Sequence, residues 1–71
     1  MTKLETLVKI EGYNSTMDML EAATFDCAVP GICKVKGCNY STEVESDSNS
    51  GWCEECERNT VVSCLVLAGI I

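Results

Sequence analysis

The chain has no histidine among its 71 residues. It therefore lacks the side chain that most readily exchanges protons near neutral pH, which argues against acid–base enzymes. Basic residues are also scarce: five Lys and Arg stand against eleven Asp and Glu, for a formal charge of −6. A field of that sign repels phosphate backbones, so it opposes direct contact with nucleic acid. Long apolar runs are missing as well. The longest, Cys64 to Ile71, falls far short of the ~20 residues that a membrane-spanning helix requires. The first residues, Met-Thr-Lys-Leu-Glu, show no apolar stretch followed by a small-residue cleavage site, so no secretory leader is expected and the predicted location is cytoplasmic.

Length sets a further bound. A chain of this size makes one domain, 1–71, and buries only about 60% of its unfolded surface. Domains so small usually need a disulfide, a metal or a partner to hold them. The six cysteines are read against that need.

Four of them form two close pairs. Cys33 and Cys38 are spaced Cys-x4-Cys, fourteen residues intervene, and Cys53 and Cys56 follow as Cys-x2-Cys. Two such pairs, set at either end of a hairpin-length segment, can bring four sulfurs to one point. A tetrahedral Zn²⁺ takes four such ligands at about 2.3 Å. In a reducing compartment close cysteine pairs serve more often as metal ligands than as disulfides. The prediction is one structural Zn²⁺ held by Cys33, Cys38, Cys53 and Cys56. Four thiolates and one dication take the formal charge to about −8. Lys34, Lys36 and Arg58 lie beside these ligands in sequence, where they can offset the negative site. Cys64, inside an apolar run, reads as a small core residue. Cys27 reads as a free thiol, with two alternatives: replacing Cys33 as a ligand, or pairing with Cys64 under oxidation.

The remaining sequence supports a coarse secondary-structure reading. Leu4, Leu7 and Val8 share one face of a helix over 3–11, and Gly12 suits the position just past its end. A second helix begins near Ser15, which can cap it, with Asp18 three residues on; Met17, Leu20 and Ala23 or Thr24 are its expected inner stripe. The pair invites a helix-turn-helix reading. The second helix contradicts it, having two acids and no Arg, Lys, Asn or Gln to meet DNA. Asp26 to Ile32, with its Pro30-Gly31 breaker, reads as an extended connection. Asn39 to Glu45 alternates as a strand with Tyr40, Thr42 and Val44 on one face. Residues 46–51 form a turn or loop whose acids lack the spacing of a calcium loop. Trp52 begins a return strand. The stretch from Thr60 is read as a short buried helix over 61–68 ending at Gly69, although its valines also suit a buried strand. Glu57 does not favour a left-handed conformation, so the second cysteine turn is expected to run on toward a helix.

Cys33-Lys-Val-Lys-Gly-Cys38 with Trp52-Cys53-Glu-Glu-Cys56 resembles the zinc-ribbon and treble-clef families over about half the chain. Pro30-Gly31-Ile32-Cys33, Gly51 to Cys56 and Leu67-Ala-Gly-Ile70 resemble short bacterial and phage-borne zinc-binding proteins without an established activity. In a treble clef the chain continues from the second cysteine turn into a helix; in a ribbon it adds a strand. Together with the two helices read above, the resemblance gives an expected small α+β fold: an N-terminal helical pair in residues 1–26, then a four-cysteine zinc-bound β-hairpin (ribbon or treble-clef-like) and a short buried C-terminal helix in 27–71. These families host many roles.

Three functions are weighed. The first is a non-enzymatic structural-zinc module that binds another protein, with a basic partner favoured by the acidic surface. The resemblance extends this to transcription or translation machinery, and a homodimer is compatible with the apolar C-terminal segment. The second is a nucleic-acid-binding finger, which the charge opposes. The third is a thiol or iron redox protein using Cys53-x-x-Cys56. The chain lacks the βαβ pattern of thioredoxins, and two intervening glutamates raise thiol pKa values.

Overall fold

The computed structural model describes residues 2–71. Seven elements follow in chain order: α1 (Lys3–Glu11), α2 (Thr16–Ala23), β1 (Ala28–Cys33), β2 (Ser41–Glu45), β3 (Gly51–Cys53), β4 (Arg58–Ser63) and α3 (Cys64–Leu67). The strands make one antiparallel sheet in the order β2-β1-β4-β3.

Local chemistry sets the helix limits. The Thr2 hydroxyl accepts the Glu5 N–H at 3.1 Å, and the Glu5 carboxylate accepts the Thr2 N–H at 3.1 Å. This reciprocal capping box satisfies two donors that the first turn otherwise leaves open. Its Thr-x-x-Glu signal was legible in the sequence, although only the helix itself was predicted there. Gly12 ends α1 at φ 80, with its N–H on the Val8 carbonyl at 3.0 Å. Ser15 caps α2 by accepting the Asp18 N–H at 3.1 Å. The inner face of α2 differs from the predicted stripe. Met19 and Ala23 are buried, while Met17 is 72% exposed. The packing of α2 against α1, α3 and β1, a long-range property, selects Met19 over its neighbour two residues earlier.

The segment read as a connection, Asp26 to Ile32, instead supplies a central strand. β1 pairs with β2 along its length and with β4 only from Gly31 onward. The Cys33 N–H points to β2, donating to the Tyr40 carbonyl, and the Lys34 N–H points to β4, donating to that of Thr60. By the two-residue period of a strand, position 30 faces the β4 side, one step beyond the last β1–β4 pair. Pro30 therefore has no ladder bond to lose. Gly31 is required by a close approach: a Cβ there would lie 2.7 Å from Val44 Cγ2 and 3.1 Å from the Val62 carbonyl oxygen.

Residues 61–63, expected to open the C-terminal helix, instead complete β4, the buried-strand alternative that the valines allowed; only Cys64–Leu67 is helical, capped by Ser63. Ser63 is fully buried and fully used. Its hydroxyl donates to the Ser46 carbonyl at 2.7 Å and accepts the Val66 N–H at 3.1 Å, and its own N–H donates to the Ser48 carbonyl at 2.9 Å. The 46–50 loop is thereby tied to the start of α3. Gly69 stops that helix at φ 77, as predicted.

Two buried clusters result. The larger joins Leu7, Val8, Met19, Ala23, Val29, Ile32, Cys64 and Leu65 between helices and sheet. The smaller surrounds Cys33, Cys53 and Val61. Val44 packs against both.

Candidate metal centre

The sheet order explains how the cysteines meet. The sequence reading placed one hairpin between the two pairs. Instead β2 lies beside β1 and β3 beside β4, making two hairpins with one cysteine pair at each tip. Cys33 ends β1, and Cys38 sits in the loop before β2. Cys53 ends β3, and Cys56 sits in the turn before β4. Because β1 and β4 are neighbours, with Cys33 opposite Val61, the two tips come side by side.

All four sulfurs lie within 4.8 Å of one another. Cys33 Sγ is 3.8 Å from Cys56 Sγ, and Cys38 Sγ is 3.7 Å from Cys53 Sγ. Four sulfurs at about 2.3 Å from a central ion have an edge of about 3.8 Å, so these two crossed contacts fit a tetrahedral tetrathiolate ion. They are too long for disulfides, whose S–S bond is about 2.05 Å, and all six cysteines are free. Cys27 is exposed and outside the group, and Cys64 is buried in the larger cluster. Cys33, rather than Cys27, occupies the fourth position.

Backbone geometry holds the sulfurs. The Cys56 N–H donates to Cys53 Sγ at 3.3 Å, a contact that favours thiolate charge. The Glu57 N–H donates to the Cys53 carbonyl at 2.8 Å, and Glu57 adopts φ 54. This reverses the expectation that the second turn avoids a left-handed residue. The four-residue reversal from Cys53 to Arg58, which are paired across β3 and β4, overrides the weak preference of a glutamate. Gly37 provides the corresponding positive φ, 87, before Cys38.

Two contacts around the sulfurs escaped the sequence reading. The Thr60 hydroxyl lies 3.0 Å from Cys33 Sγ, with both residues buried. Thr60 stands at the start of the segment expected to be helical, and only its place in β4 turns it toward the site. The Lys3 ammonium, at the start of α1, bonds to the Val35 carbonyl at 2.8 Å, to the Cys38 carbonyl and to the Asn39 side-chain oxygen at 3.3 Å. A cation more than thirty residues away thus braces the first cysteine loop; no local signal announces it. Lys34, Lys36 and Arg58 are all exposed.

The electrostatics suit a cation. Burial raises the Cys33 thiol, but bonds from Thr60, the Val35 backbone and neighbouring thiols outweigh it and bring the pKa down to about 6. Cys56 moves the other way, pushed up to about 12 by its contacts with Cys38, by burial and by Cys33 and Cys53. One thiolate forms readily, while a second beside it meets like charge. A divalent ion removes that conflict, since metal coordination deprotonates thiols outright. Cys38 and Cys56 are half-buried and border an open cleft of about 520 Å³ together with Gly37, Asn39, Tyr40 and Glu55.

No protein-family model, curated protein or solved structure matches the chain. Among the described residues no helix is long and apolar enough to cross a membrane.

Proposed function

We propose that the protein is a non-enzymatic, cytoplasmic module in which one structural Zn²⁺ holds the two hairpin tips together and the folded surface binds another protein. The observation that carries this reading is the four-sulfur cluster, two of whose edges have the length a zinc tetrathiolate requires. Cys33, Cys38, Cys53 and Cys56 would fill every position of a zinc tetrahedron, leaving none for water or substrate, which is the pattern of structural rather than catalytic sites. The strand that follows the second cysteine turn favours a ribbon arrangement over a treble clef. The acidic surface favours a basic partner and speeds encounter with it. Basic segments of transcription or translation machinery meet that description.

Native mass spectrometry of the reduced protein, with elemental analysis, tests the proposal. The expected result is one zinc per chain, colourless, lost on Cys53→Ser and kept on Cys64→Ser. A coloured protein containing iron would favour the redox alternative, and a chain without metal would overturn the reading.

A further inference from the structure

The fold leaves apolar side chains uncovered along α2 and at the C-terminal end. Met17 is 72% exposed, Phe25 86% and Ile70 53%. Met17, Leu20, Thr24 and Ile70 line a shallow groove of about 360 Å³ with Glu21 beside them. Glu21 also borders an adjoining hollow with Asp18, Ala22 and Phe25. Single exposed apolar residues are ordinary, but Met17, Leu20 and Ile70 share one groove, with Phe25 across Glu21, and grouped exposure of this kind marks a contact surface.

The charged residues that line these two hollows, Asp18 and Glu21, are of one sign. The sequence around them agrees, with no Lys or Arg between Lys9 and Lys34. Neither groove has a basic residue in its lining. A second copy is a poor occupant, because a two-fold contact of this face with itself brings two acid-bearing linings together with no basic residue in either. A cationic occupant gains from the same groups. This face also has a helical length: the eight residues of α2 span ~12 Å, about two turns of a helix laid alongside. Methionine suits such a surface, because its flexible thioether adapts to different apolar partners.

We propose that this groove docks a basic amphipathic helix of a partner protein. Its apolar residues, spaced i, i+3, i+4 and i+7, seat against Met17, Leu20, Phe25 and Ile70, and its Lys or Arg side chains meet Asp18 and Glu21. The inference rests on the protein-binding reading above and assigns that binding to the helical half, leaving the metal centre to hold the fold.

Fluorescence anisotropy on the metal-loaded protein tests this with three labelled peptides of about 14 residues. One is an amphipathic Leu/Lys helix, one its scrambled isomer, and one the same stripe with Glu for Lys. The Leu/Lys helix should bind, with its scrambled and acidic counterparts at least about tenfold weaker. Met17→Ser and Glu21→Lys, both at solvent-facing positions, should each weaken it by about tenfold while the metal content stays unchanged. Equal binding of helix and scramble would reduce the effect to bulk charge and overturn the proposal. So would binding that ignores both substitutions, or a dimer that Met17→Ser dissolves. A protein partner found to contact the hairpin tips, indifferent to Met17 and Glu21, would overturn this placement while leaving the protein-binding function standing.

Discussion

Thr60 turns its buried hydroxyl onto Cys33 Sγ at 3.0 Å, and Cys33 is the thiol most ready to ionise. Groups that hydrogen-bond a metal ligand typically affect affinity by about 10–100-fold. Thr60→Val keeps the shape and removes the donor, so chelator competition should show zinc affinity falling within that range; unchanged affinity would deny Thr60 its role. Cys64 shows the opposite electrostatics. Burial holds its pKa above the ordinary 9.0, so the fold keeps the thiol neutral. The unfolded chain releases that proton first, so this contribution is complete below pH 9 and is lost as pH rises from there through the folded value. Cys64→Ala should therefore flatten the alkaline decline in melting temperature while lowering stability at neutral pH. Parallel profiles for the two proteins would contradict this. At this scale spacing was informative: the two cysteine pairs were legible because both are local. The partners Thr60 and Lys3 were not, since contacts across the sheet leave no trace in neighbouring residues.

The elements show where local rules stop. Both N-terminal helices begin where those rules place them, because caps act within one turn, but the buried face of α2 departs from the stripe that periodicity gave. β1 did not obey them. Val-Pro-Gly reads as a breaker in isolation, yet Pro30 sits where no ladder bond is needed and Gly31 where two valines crowd the backbone. The Thr60 to Ile71 segment held both signals, strand in Thr60–Ser63 and helix from Cys64, and a single assignment could not fit both. α1 also reaches beyond its own packing, through Lys3 and the carbonyls of the first cysteine loop. Charged hydrogen bonds contribute about 1.5–3 kcal/mol when buried, and the solvent around this half-exposed site reduces that to about 1 kcal/mol. Lys3→Met keeps the stem and removes the ammonium. It should lower the melting temperature of the metal-loaded protein more than Lys36→Met does, and speed amide exchange at Cys38 and Asn39. Equal effects of the two substitutions would mean that Lys3 is an ordinary surface cation.

Taken whole, the molecule has two small clusters joined at Val44, one apolar and one built on sulfur. A chain of this length buries only about 60% of its unfolded surface, so such cores are marginal. A structural zinc contributes on the order of 10 kcal/mol in comparable sites, comparable to the whole stability of a small domain. The hairpin tips should therefore depend on the ion. The most direct measurement is the amide NMR spectrum of the reduced protein before and after zinc removal by a chelator at neutral pH. Loss of dispersion across residues 31–60, restored by one equivalent of zinc, is the predicted result. A metal-free chain that keeps its dispersed spectrum throughout would contradict the account.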